Sequence, residues 1–89
     1  MLVEEQDYEK INIIVGGRAG VGKSTVVFVI MEALEKAGLT VEFDGGLDFE
    51  DKENFIRKMT PFIEKRVKAI DRPIKIKEIQ FARKISTNV

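Results

Sequence analysis

The chain has 89 residues, 44% hydrophobic and 34% charged, which bounds it to one small domain with a thin core. Fifteen basic residues balance fifteen acidic ones, so there is no general attraction to nucleic acid and any anion has to be drawn by a local feature. The absence of cysteine and histidine excludes disulfides, thiol chemistry, imidazole bases and the usual zinc sites.

Residues 1–9 are polar and carry Glu4, Glu5, Asp7 and Glu9, unlike a signal peptide, and are read as a flexible N-terminal segment. Lys10-Ile11-Asn12-Ile13-Ile14-Val15 is apolar and β-branched and predicts a strand buried on both faces, ended by Gly16 and Gly17. A helical pattern runs over 23–37. At 100° per residue, Val26, Val27, Ile30, Ala33, Leu34 and Ala37 share one broad face, and Glu32, Glu35 and Lys36 share the other. Phe28 is the misfit, placed on the side of Glu32 and Glu35. Gly38 stands where a helix stops, after Lys36 in the last turn.

Leu39-Thr40-Val41-Glu42-Phe43 alternates apolar with polar and predicts a second strand, ended by Asp44-Gly45-Gly46. A second helical pattern takes Phe55, Ile56, Met59, Phe62, Ile63, Val67 and Ile70, with Asp48 as its expected N-cap. Thr60-Pro61 divides it into two short helices or one kinked helix. After the turn Asp71-Arg72-Pro73, residues 74–81 predict a third strand. The order predicts an α/β fold: a minimal β-α-β-α-β unit with a three-stranded parallel sheet and right-handed crossovers. Residues 10–82 are expected to form the single domain and 83–89 a tail. The longest apolar run, residues 26–31, is far short of the roughly 20 residues a membrane span needs. Together with the acidic start, this leads us to expect a cytoplasmic protein.

The chemistry-bearing motif is Gly17-Arg18-Ala19-Gly20-Val21-Gly22-Lys23-Ser24, the spacing of a phosphate-binding loop, set between the first strand and the first helix. Phosphates carry concentrated charge and many acceptor oxygens. A curl of backbone N–H groups forms a nest that satisfies them, and the glycines allow the close approach. The helix that follows aims its unpaired N–H groups and positive dipole end at the same point. Lys23 supplies a cation for the β- and γ-phosphates. The Ser24 hydroxyl suits magnesium, a hard cation that prefers oxygen, and Thr25 can meet an α-phosphate with its hydroxyl and N–H. Residues 17–25 are therefore the expected binding site for ATP or GTP with magnesium.

The run Ile13-Ile14-Val15-Gly16-Gly17-Arg18-Ala19-Gly20-Val21-Gly22-Lys23-Ser24-Thr25 resembles the start of a P-loop NTPase of the kinase–GTPase branch, and the resemblance covers about half the chain. Phe43-Asp44-Gly45 is similar to the Asp-Gly turn of adenylylsulfate kinases and related small-molecule kinases, and implies Asp44 as a base or acceptor-side residue beside a catalytic Lys23. The layout, ending in a short third strand with Gln80, also looks like the very short P-loop proteins of tailed bacteriophages, which would place the protein in the host cytoplasm.

The pattern departs from that family in other respects. No four-apolar-plus-aspartate strand end supplies the second magnesium carboxylate, and no lid is evident. Glu78 and Gln80 on the third strand, Arg18 in the loop and Arg83 after the strand are read first as surface residues, as is the basic run Lys65-Arg66-Val67-Lys68. Phosphoryl transfer is mainly positioning plus charge neutralisation, and only the positioning loop is complete here. The expectation is a module that binds nucleotide with weak or no hydrolysis. The alternatives are a small kinase or NTPase, and an interaction module on the same scaffold. An exposed Phe28 and the open edges of a short sheet would allow a homodimer or protein partner.

Overall fold

The computed structural model describes residues 9–45 and 48–80. The described residues fall into two compact units: Val15–Asp71, and residues 9–14 with 72–80. The first unit holds all the regular structure found among the described residues: α1 (Lys23–Lys36), α2 (Lys52–Met59), a 3-10 turn (Thr60–Phe62) and α3 (Ile63–Lys68).

Local chemistry sets the ends of these helices. α1 stops in a Schellman arrangement, with Gly38 N–H donating to Glu35 O at 3.0 Å and Leu39 N–H to Leu34 O at 3.1 Å. Gly38 sits at φ 96°, the left-handed conformation that this motif requires and that a side chain disfavours. The N-cap of α2 is Asp51, not the expected Asp48. Its carboxylate accepts the Asn54 N–H at 2.8 Å, and the Asn54 side-chain oxygen accepts the Glu50 N–H at 3.3 Å. Replacing Asp51 by alanine should therefore cost about 1 kcal/mol, read as a lower urea midpoint at unchanged slope. A variant as stable as the parent would mean the cap does not form. The break at Pro61 is a 3-10 turn, where Thr60 Oγ1 donates back to Ile56 O at 2.6 Å instead of capping forward.

α1 packs against α2 and α3. The core consists of Phe28 and Met31 from α1 with Phe55 and Met59 from α2, flanked by Val27, Val41, Phe43, Phe49, Ile56 and Ile63. Phe55 is its centre, 1% exposed, with Phe43 stacked at 4.3 Å between ring centroids and Phe49 edge-on at 4.8 Å. Offset and edge-to-face contacts of this kind add to the stabilisation from simple burial. Lys52 Nζ donates to Glu35 Oε2 and, at 2.9 Å, to Val41 O, joining the start of α2 to α1 and to the segment after it.

Two expectations are corrected. First, no β-strand occurs among the described residues, so the three-stranded parallel sheet and the α/β class do not hold. Residues 10–15, 39–43 and 74–80 are irregular, and Phe81 lies outside the described residues. A parallel strand is stable when both its faces are covered and its backbone groups are paired. Ile11 is instead 96% exposed and Ile76 90%, and Ile13, Ile14, Ile74 and Ile79 are each more than half exposed. β-branching favours a non-helical local backbone, but strand pairing depends on distant segments that local composition does not specify.

Second, Phe28 is not on an exposed face. It is 4% exposed and packs 5.9 Å from Phe55, ring centre to ring centre. α1 turns Thr25, Phe28 and Met31 inward, spaced three apart, and leaves Ala33 and Ala37 in solvent. Two large side chains remove more apolar surface from water than two alanines, and burial scales with that area. The motive for a partner docking on Phe28 and on a sheet edge therefore has neither an exposed ring nor a sheet beneath it. Residues 1–8, which include most of the expected flexible start, and the tail 83–89 lie outside the described residues.

Candidate phosphate-binding site

The loop enters α1 through Gly20 and Gly22, which take φ of 81° and 97°. At Gly22 the left-handed backbone disfavours a side chain, and a Cβ there would lie 3.2 Å from Ile70 Cγ1, a tight contact that Ile70 would have to relieve. Gly22 is also the N-cap, so α1 has no side-chain cap, and no acidic residue sits in its first turn. The first backbone bond of the helix runs from Val26 N–H to Gly22 O at 3.1 Å, and the amides before it have no intrahelical acceptor.

Lys23 folds back over the loop. Its Nζ donates to Gly17 O and to Arg18 O, both at 2.9 Å. An ammonium has three protons, so this geometry leaves one for a ligand while the other two hold the loop closed. A cleft of about 450 Å³ opens beside this loop, lined by Ala19 to Thr25, by Asp48, and by Arg66, Ala69 and Ile70 at the end of α3. That volume lies within the range of small-molecule sites. Thr25 is only 3% exposed and makes no hydrogen bond through its hydroxyl among the described residues. No side-chain oxygen or nitrogen among the described residues is fully enclosed without a partner, so the Thr25 hydroxyl is reached from the cleft it lines.

The structure therefore gathers seven of the nine expected binding residues, Ala19, Gly20, Val21, Gly22, Lys23, Ser24 and Thr25, around one cleft. The other two, Gly17 and Arg18, supply the carbonyls that hold Lys23. Asp44, the expected catalytic carboxylate, is exposed and does not line this cleft. Glu78 and Gln80 are exposed in the other unit, and Arg83 lies outside the described residues.

Two side chains join the site that sequence reading gave other roles. Arg66, read as part of a solvated basic face, lines the cleft and lies 6.0 Å from the Phe62 ring centre. The signal for it was present, because Arg66, Ala69 and Ile70 stand at i, i+3 and i+4 and so share a face. Asp48, read as a helix cap, is displaced from that role by Asp51 and lines the cleft instead.

The donor set fits magnesium only in company. Among the described residues no three carboxylate, histidine or cysteine side chains converge to hold a metal. Magnesium commonly takes one or two protein oxygens and completes its octahedron with phosphate oxygens and water. Ser24 lines the cleft with a hydroxyl that makes no hydrogen bond among the described residues, which suits that role.

No protein-family model matches this chain, and no curated protein or solved structure does. None of the helices among the described residues is long and apolar enough to cross a membrane.

Proposed function

We propose that this chain binds the phosphates of a nucleoside triphosphate, ATP or GTP with magnesium, and turns it over weakly or not at all. The observation that carries the reading is the cleft: a loop with phosphate-loop spacing, free helix amides, a lysine with one unused proton and an arginine all border one space. Anions bind at such a place because N–H dipoles and fixed cations replace the water they lose. The resemblance to P-loop NTPases supports the phosphate chemistry of residues 17–25, and Arg66 adds a second cation to the same cleft. A cytoplasmic setting, where such nucleotides and magnesium are plentiful, is part of the same reading.

Binding is preferred to turnover for a specific reason. Among the described residues, Asp48 is the one carboxylate that lines the cleft, and no side chain there is paired with another as base and orienting group. The test is a titration of the protein with ATP, GTP, ADP and pyrophosphate, each with magnesium, followed by backbone amide shifts. The expected result is movement at Gly20, Gly22, Lys23 and Ser24 with all four ligands, since phosphates are what the loop reads. No movement at these amides with millimolar nucleotide would rule the reading out.

A further inference from the structure

We propose that residues 74–79 are a docking strand for an extended polypeptide segment in which apolar residues alternate with acidic ones. The inference concerns the unit of residues 9–14 and 72–80 and stands apart from the phosphate-binding reading of the cleft.

Ten large apolar side chains are exposed among the described residues, and six of them are the isoleucines of this unit. Ile74, Ile76 and Ile79 are 56%, 90% and 68% exposed, in a stretch where every residue faces solvent. Such a concentration of bare apolar surface marks an interaction site. Among the described residues the backbone of 74–79 makes no hydrogen bond, and Lys75, Lys77 and Glu78 make no ion pair. Unpaired N–H and C=O groups along an exposed β-branched segment are a template for an added strand. Pro73 has no N–H and bounds that template at residue 74. In 9–14, by contrast, Glu9 and Lys10 cancel in charge, and Asn12 Nδ2 already donates to Lys10 O at 3.0 Å.

The order of the residues selects the partner. Apolar and basic residues alternate over 74–77, so an extended backbone puts Ile74 and Ile76 on one face and Lys75 and Lys77 on the other. Residues directly opposite in a strand pair share a face. The complementary strand therefore has apolar side chains against the isoleucines and carboxylates against the lysines. A second copy of this chain fits poorly. A two-fold axis between antiparallel copies places one residue opposite itself. Centred on Ile76, it sets Lys75 against the partner's Lys77. Centred on Lys75, Lys77 or Glu78, it sets that charge against its own counterpart. Like charges directly opposite destabilise a pair, which leaves an acidic partner.

The experiment titrates the full chain with a capped peptide of alternating valine and glutamate, about eight residues long, within the usual length of a strand. Two controls share its length: the same residues with valines and glutamates in separate blocks, and an alternating valine–lysine peptide. The alternating acidic peptide should bind about tenfold or more tightly than either control. Strand addition uses the backbone groups of every second residue, so slowed amide exchange should appear at alternate positions of 74–79. Ile76→Ser should weaken binding by about tenfold or more, the scale of one buried isoleucine. Lys75→Glu with Lys77→Glu should reverse the preference toward the valine–lysine peptide. Both variants change exposed side chains outside the aromatic core, so the parent's melting temperature should hold.

Equal binding of the blocked peptide overturns the inference, because it reduces the contact to charge attraction. Binding without alternate protection does the same. No binding of the alternating acidic peptide at millimolar concentration removes the site. A chain that self-associates, and that Ile76→Ser returns to monomer, makes a second copy the occupant and overturns the acidic partner. Each of these outcomes leaves the phosphate-binding reading standing.

Discussion

Replacing Phe55 by alanine is expected to remove most of the stability of this protein. Phe55 is the most deeply buried of the core side chains and the ring against which Phe28, Phe43 and Phe49 all pack. Truncating a buried phenylalanine costs about 3–5 kcal/mol, the sum of lost burial and of the cavity left behind. A chain of this length has about 4–13 kcal/mol of stability in total, and the four buried apolar residues of the core among the described residues argue for the lower part of that range. The substitution therefore consumes most of what is available.

The measurement is thermal or urea unfolding followed by circular dichroism, where each 1 kcal/mol moves the melting temperature by about 4–8 °C in a domain of this size. Phe55→Leu should fall between parent and alanine variant, because leucine fills much of the space. Phe62→Ala supplies the contrast. Phe62 is 53% exposed, and among the described residues its ring contact is with Arg66, so its loss should cost less than about 1 kcal/mol. If Phe55→Ala and Phe62→Ala destabilise equally, the aromatic cluster is not the core.

The same cluster explains which parts of the fold could be read from the sequence. The ends of α1 were legible because they depend on neighbours in the chain: Gly22 and Lys23 at the start, and Lys36 and Gly38 at the stop. The break at Pro61 was legible for the same reason. The buried face of α1 was not. The helical wheel gave Ala33 and Ala37 equal weight with larger residues, whereas packing chose Phe28 and Met31 because Phe55 and Met59 of α2 meet them. Ile11, Ile13, Ile74 and Ile76 misled in another way. Their β-branching reports a local backbone preference, and a sheet needs partners that local composition does not specify.

The site divides along the same line. Residues 17–25 are contiguous, so their chemistry was visible in a single motif. Arg66 and Asp48 lie far from the loop in the chain and line the same cleft, with Ile70 close against Gly22 and Asp51 rather than Asp48 capping α2. Both are facts of tertiary arrangement, and spacing alone hinted at the first.

Lys23→Ala should abolish measurable nucleotide binding at submillimolar concentration while leaving the fold in place. Lys23 has two tasks. Its ammonium holds Gly17 O and Arg18 O at 2.9 Å each, which keeps the loop curled, and its third proton is the one available to a phosphate. A hydrogen bond to a charged group is worth about 1.5–3 kcal/mol, which alone raises the dissociation constant by about 10- to 150-fold. Relaxation of the loop adds to that loss, because amides that no longer point at one place lose their joint hold on the ligand. Lys23→Arg should rescue little. A guanidinium is larger and holds its N–H groups in one plane, so it does not reproduce the compact tetrahedral ammonium that meets two loop carbonyls and leaves a proton for a phosphate.

Arg66→Ala tests the other cation. Arg66 reaches the cleft from α3 and holds no loop carbonyl, so its removal should weaken binding by about tenfold and leave the amide shifts of the empty loop unchanged. The two variants thus separate charge from loop geometry. Both lose affinity, and only Lys23→Ala should also move the Gly17 and Arg18 signals in the absence of ligand. A Lys23→Ala protein that binds within about threefold of the parent would show that the helix amides hold the phosphate without the lysine. In that case the hydrogen bonds to Gly17 and Arg18 would be the whole of its role.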